Sequence, residues 1–529
     1  MKIFGEESPL FAHQCVPAYR LCRSCWLYVL VLVLPLSVSV LWAEPGTEAI
    51  SSPKEQTPVG RLISDDWEAV YLHDARAGYG RTRVIEFLRA GQTVRQSDSS
   101  MRLQMRRFGQ LVGISVSIQT TEDQQGRLLD FRTEMKMGPN PIISSGRVID
   151  EELEVTTRTG QKTTTVELKW SEEDRGFFYA ENSLREKPMR PGEKRSFTAL
   201  VPVLNKVART RLIAGEYEET QLLDGSKKLL PILSRTDLDG TIIDSKLWVD
   251  EAGSVLKTQE DALGQTVYRT TKAIALAGAN ENVPDLIVGT VVPVGGDVKD
   301  PHAALAVRYR VRLKRSDPQQ VFPNSELQKI EPKGNREIEL LVSRTVADGQ
   351  DQEADADRPT KADRSPSRWI QSDDPLVIAL AENVAGDAKD SDQIARALAR
   401  HVYHLIDKKD FSTALGSAAE VARSRRGDCT EHAVLLAAFA RARGIPARVI
   451  IGLVYVPSLG GFAYHMWSEL WMQNRWLPID ATRADGGVGG GHIKIAHASM
   501  SDADGLMVFL PVLQVVGQMQ IDVVEETPN

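Results

Sequence analysis

Beyond residue 25 the sequence holds one cysteine, Cys429, out of four in 529 residues. A single thiol in that span can form no internal disulfide, so the fold is not stapled by cystines. An excess of either charge is also missing. Lys and Arg number 64 against 71 Asp and Glu, a net charge of −7. No strong basic field results, and Arg106-Arg107 and Arg425-Arg426 are only short pairs. Nucleic acid is therefore not an expected partner.

What is present begins with a leader-like segment. Arg20 and Arg23 precede an uncharged apolar stretch from Trp26 to Ala43, and Glu44-Pro45-Gly46 follows. That order is the one an export signal shows. The stretch is near the lower limit for a membrane span, about 17–25 residues. The expectation for 1–43 is a signal peptide, with a retained anchor as the alternative. Either places the rest in the periplasm or cell envelope, in the second case membrane-associated. Cys15, Cys22 and Cys25 fall in this leader, so an exported chain would keep Cys429 alone.

Residues 44–58 read as a linker. From 59 to 280 the pattern alternates, as in Ile114-Val116-Ile118 and Leu129-Phe131-Thr133-Met135, with turn signals between the runs. This predicts a large antiparallel β domain, structural or ligand-binding. A small, separate β module is expected over 281–346, where Val307, Tyr309, Val311 and Leu313 alternate with a solvated face of Arg308, Arg310 and Arg312. An acidic linker is expected at 347–368, with little to bury.

After the linker the period becomes helical. Asp374-Pro375 starts one helix, with Pro at the first helical position. Ile394, Ala397, Leu398, His401, Val402 and Leu405 stripe a second. Ser417-Ala418-Ala419-Glu420 is a capping-box signature for a short third. A fourth starts at Gly427-Asp428 and stops at Gly444, before Pro446. Cys429 sits in its first turn, facing the positive end of the helix dipole. The dipole contributes roughly 0.3–1 kcal/mol, while one pKa unit is about 1.36 kcal/mol. The helix alone therefore lowers a thiol from about 8.5 by less than a unit or so. A working thiolate needs a cation too, usually an imidazolium.

Strands downstream offer one. Arg448 to Val456 is a continuous apolar run, hence a buried strand. Phe462 to Met472 and Trp476 to Ala481 flank a turn at Gln473-Asn474-Arg475. His465, Trp467, Glu469 and Trp471 share one side of the first strand; Trp476, Pro478 and Asp480 share one side of the second. A tight turn at Asn474 sets Asp480 opposite residues near Ser468. That is about three residues from His465, roughly 10 Å along a strand, so a bulge or diagonal reach is required.

Four blocks in order carry a family resemblance: Gly427-Asp428-Cys429-Thr430-Glu431-His432-Ala433, Ala440 to Arg448, His465-Met466-Trp467-Ser468-Glu469-Leu470-Trp471, and Trp476 to Thr482. Together they resemble the bacterial transglutaminase-like superfamily. The resemblance implies an α+β, papain-like domain over 369–529, with its core in 369–491, behind β-rich domains. It also implies a catalytic triad: Cys429 as nucleophile, His465 as base and Asp480 as orienting carboxylate. The implied activity is amide cleavage or acyl transfer through a Cys thioester, on a protein or peptide amide, as in a protease, amidase or transamidating enzyme. The alternative is an inactive scaffold or binding protein of the envelope.

Competing residues read more plainly. His432, one turn from Cys429, reads as packing or as a support behind the site. His401 and His404 lack the partners a metal site needs, and no metal or cofactor is expected. Gly486 to Gly491 lacks the Lys-Ser or Lys-Thr of a phosphate loop and reads as a mobile loop beside the site. Trp467, Trp471 and Trp476 are core residues, with Trp467 placed to line the cleft.

Overall fold

The computed structural model describes residues 60–529, except 108–109, 139, 261–263, 279–282, 285–289, 345–356, 383, 385–390, 410–414 and 503–505. The leader stretch from Trp26 to Ala43 lies outside the described residues. Among the described residues no helix is long and apolar enough to cross a membrane.

The protein is mostly β. Residues 61–270 form one sheet of 16 strands. Every pairing in it is antiparallel except that of the two-residue strand Asp174–Arg175. The first strand, Arg61–Leu72, pairs with both Ala75–Arg89 and the last strand, Gln265–Thr270. Two arms therefore grow from one central strand. The sheet curls until the arms touch: Phe131, Leu153 and Val155 of one pack with Leu200 and Val207 of the other. Asn205 Nδ2 donates to Thr157 Oγ1 at 3.1 Å across the same gap.

The second sheet positions the site. Its strands in chain order are β1 (Val292–Gly295), β2 (Ala306–Leu313), β3 (Gln328–Gly334), β4 (Glu337–Ser343), β5 (Ala447–Val456), β6 (Gly461–Met472), β7 (Arg475–Ile479), β8 (His492–Ala498) and β9 (Met519–Thr527). Their spatial order is β3-β4-β2-β9-β1-β6-β5-β8, with β7 also on β6. This corrects the expectation of a separate module over 281–346. Strands β1 and β2 both pair with the C-terminal strand β9, and β1 also pairs with β6. The alternation that suggested a free-standing module reflects burial in this shared sheet: Val307, Tyr309 and Val311 are fully buried. The arginines opposite are an ion-pair ladder rather than a merely solvated face. Arg312 bonds Glu337 at 2.6 Å and Asp522 at 2.7 Å, and Arg310 bonds Glu339 at 2.9 Å.

The expected acidic linker also divides. Residues 345–356 lie outside the described residues, but 357–368 pack on the C-terminal region. Arg448 makes two bonds to Asp357, and Arg368 bonds Asp502. Linker composition misled here because Asp357, Asp363 and Arg368 each have a partner far along the chain.

Four helices gather beside the site: α1 (Pro375–Glu382), α2 (Ser391–Leu405), α3 (Ala418–Ser424) and α4 (Cys429–Ala442), with α2 and α4 against the sheet and α1 and α3 against α4. Their starts follow the sequence signals. Asp374 accepts from the amide of Leu376, and Ser417 with Glu420 forms a capping box. Helix α4 is buried almost throughout, against the other three helices and strands β5 and β6.

Candidate active site

Cys429 is the first residue of α4 and is buried. Its turn is fixed by two carboxyl side chains and by a glycine. Asp428 Oδ1 accepts from Thr430 N at 3.0 Å, while Glu431 Oε2 accepts from Asp428 N at 3.1 Å and Glu431 Oε1 from Gly416 N at 2.8 Å. Glu431 thus closes a capping box and ties α4 to the preceding loop. Gly427 has φ +151°, and a Cβ there would meet Glu431 Cβ at 2.2 Å. Any side chain at 427 would displace the cap that positions the thiol.

Helix α4 is fastened to β6. Ser468 Oγ donates to the carbonyl of Ala433 at 2.9 Å. On β6, His465 sits where the sheet edge opens. One edge is fully paired with β5. The other pairs with β1 only at Gly461 and Phe462, and with β7 only from Ser468 onward. Asp480 leaves β7 at this opening. The hairpin loop is Gln473-Asn474, both with positive φ, so Ile479 faces Ser468. Asp480 then falls opposite Trp467, two residues from His465 rather than three. A diagonal reach closes that offset without a bulge. His465 Nε2 donates to Asp480 Oδ2 at 2.9 Å. This leaves Nδ1 as the ring nitrogen that a thiol would face.

Asp480 is completely enclosed. Its Oδ1 accepts from Thr482 N at 2.8 Å and Thr482 Oγ1 at 2.7 Å. Burial alone would push this carboxyl up, but the charge and hydrogen bonds of His465 and His492 hold it well below the usual carboxylate range. The second imidazole was not anticipated from sequence. His492 Nε2 lies 3.2 Å from the same Oδ2. Burial pushes His492 down to about 4, against the opposing pull of Asp480. Trp467 packs beside both histidines, with ring centroids 6.0 Å from His465 and 5.3 Å from His492, whose own rings are 6.1 Å apart. It fits because Gly452 faces it; a Cβ there would lie 2.5 Å from the indole. Trp467 is thus a wall of the site and part of the core at once.

The remaining candidates fall elsewhere. His432 Nδ1 bonds the carbonyl of Asp428, and burial pushes its pKa down. His401 stacks near Phe439 at 5.7 Å. Neither His401 nor His404 joins a metal-ligand set among the described residues. His465, Asp480 and His492 do offer three such atoms within 4.8 Å of one another. The expectation of no metal site overlooked this grouping, although the mutual hydrogen bonds account for its closeness. The glycine run is not a loose loop. A Cβ on Gly490 would strike Val307, and one on Gly491 the ring of His302. Tyr309 Oη also donates to Gly490 O at 2.8 Å. Beside the site, Glu469 is buried with Lys494 at 2.7 Å and Arg448 at 2.8 Å.

Residues 378–481 match the transglutaminase-like superfamily. No relative is found among curated proteins. Among solved structures the chain is similar to a β-barrel-like protein of a domain of unknown function from Brucella abortus, at 14% identity over 39% of this chain and 95% of that one, with a TM-score of 0.28. It is also similar to a candidate cysteine protease from Cytophaga hutchinsonii, at 18% identity over 41% of this chain and 83% of that one, with a TM-score of 0.26. Overlaps this loose carry neither fold nor activity across. Cys429, His465 and Asp480 all fall within the family match, and the chain therefore carries a transglutaminase-like domain behind a β-rich N-terminal region.

Proposed function

We propose that this protein is an exported cysteine enzyme that cleaves or transfers an amide-linked acyl group. The domain is then of α+β, papain-like type, and its substrate a protein or peptide amide. Cys429 gives its thiol proton to His465 Nδ1, and the thiolate adds to the amide carbonyl. The tetrahedral adduct collapses as His465 returns that proton to the departing amine. An acyl thioester remains on Cys429 until water or a second amine takes the acyl group. Asp480 holds the imidazole in the tautomer that carries hydrogen on Nε2. The Cys429 backbone N–H, at the start of α4, is placed to steady the oxyanion.

The observation that carries this reading is the buried 2.9 Å bond between His465 and Asp480. It forms on the strand to which the Cys429 helix is fastened. Export rests on the segment before residue 44, and N-terminal sequencing of the native protein tests it; a soluble cytoplasmic chain starting at Met1 would exclude it. For the chemistry, the protein is incubated with a glutamine-containing peptide or a reactive acyl ester and quenched in acid. Mass spectrometry should find the acyl mass on the Cys429 peptide, released by hydroxylamine and missing in Cys429→Ala. Substrate turnover undiminished in Cys429→Ala would refute the reading.

A further inference from the structure

Asp480 is gripped by two imidazoles, and the second lies outside the residues that match the family. His492 opens β8, a strand separated from β6 by β5. Because the carboxylate can only accept, His492 must donate from Nε2, which leaves the lone pair on Nδ1. That Nδ1 is buried and has no partner among the described residues. An unpaired buried acceptor is costly, and an apolar side chain of similar size would avoid the cost. Space-filling alone therefore gives no reason for a histidine here.

The surroundings hold His492 to one position. Trp467 stands edge-on to its ring at 5.3 Å and His302 at 5.5 Å. His302 is itself fixed by a 2.8 Å bond between its Nε2 and the carbonyl of Tyr455. Gly490 and Gly491, just before His492, are seated on Val307 and His302 with no room for a Cβ. The backbone leading into β8 is therefore pinned to β2 and the segment before it. Thr482 secures Oδ1 of Asp480 twice over, and His492 is the second donor on Oδ2.

From this geometry we propose that His492 is a positioning residue: it clamps Asp480 Oδ2 in the orientation that fixes the His465 ring. The inference rests on the reading of His465 as the base for Cys429. It assigns a task to residues 301–309, which lie upstream of the family match yet brace the clamp.

The test uses the full chain in EDTA, so that no metal bridges the three residues. The rate of iodoacetamide alkylation is followed at pH 7 on the Cys429 peptide by mass spectrometry, with thermal unfolding recorded alongside. His492→Met removes the donor at similar volume, while the Nε2 of His492→Gln can donate from a similar place. Alkylation in His492→Met should slow on the order of tenfold, the loss of one hydrogen bond to a charged group. His492→Gln should recover most of that loss, whatever the two thermal midpoints. Equal rates in the Met and Gln variants, fast or slow, overturn the clamp. His465→Ala is run beside them. If it too alkylates at the parent rate, the base assignment itself fails; if it alone is slow, only the clamp fails.

Discussion

Two buried histidines make the site sensitive to acid. His492 takes up a proton near pH 6.5 when unfolded and at about 4 when folded, because burial disfavours its charged form. Burial lowers His432 in the same direction. Between the two values the unfolded chain binds the extra proton, so stability falls as pH drops from 6.5 towards 4. The His492 share is on the order of 3 kcal/mol. Asp480 acts lower on the scale: its stabilisation is intact above the ordinary carboxylate range and is lost only as pH falls through its depressed folded value. Urea midpoints measured from pH 7 to 4 should decline, and His492→Gln should flatten part of that decline. A midpoint constant across this range would show that neither imidazole is held neutral. Legibility at this scale divides along the chain. His465 and Asp480 were singled out through the resemblance of their sequence blocks. The local pattern set them on neighbouring strands but one residue too far apart, because the turn spans two residues, Gln473 and Asn474, rather than three. His492 was not legible, because it meets Asp480 only through the order of strands in a sheet.

Helix α4 was readable from its ends. Gly427-Asp428 marks the start, and Gly444, with φ +74°, marks the stop. Its deeper anchor was less visible. Glu431 accepts from two backbone amides, Asp428 and Gly416, the second of them in a loop fifteen residues earlier. Burial and the neighbouring Asp428 push its carboxyl pKa up, which marks a group held for structure at some cost. Glu431→Ala should cost about 2–4 kcal/mol, the loss of a cap plus a stranded buried amide. Urea unfolding measures it, and a loss under about 0.5 kcal/mol, the usual scale of surface changes, would deny the anchor. The glycine run was misread at this scale. Glycine permits both mobility and close approach, and only the neighbours His302 and Val307 decide between them.

Across the whole molecule, the error lay in treating domains as successive. The pairing of β2 with β9 joins residues some two hundred positions apart in sequence, and no local pattern announces it. Limited proteolysis tests the consequence. The acidic composition of residues 347–356 offers little to bury, so cleavage should begin there. The two fragments should nevertheless remain together on native size exclusion, because β1 to β4 share a sheet with β5 to β9. They should separate only in denaturant. Release of a free C-terminal fragment beginning near Trp369 would contradict the shared sheet.

If His465 serves Cys429 as a nucleophile, the alkylation rate of Cys429 as a function of pH must carry the imprint of that imidazole. The parent midpoint should lie below the free-thiol value of about 8.5. His465→Ala should move it up towards that value and slow reaction at pH 6–7, while His432→Ala should change it far less. A parent midpoint already near 8.5, unmoved by His465→Ala, would make Cys429 an ordinary buried thiol with no base to serve it.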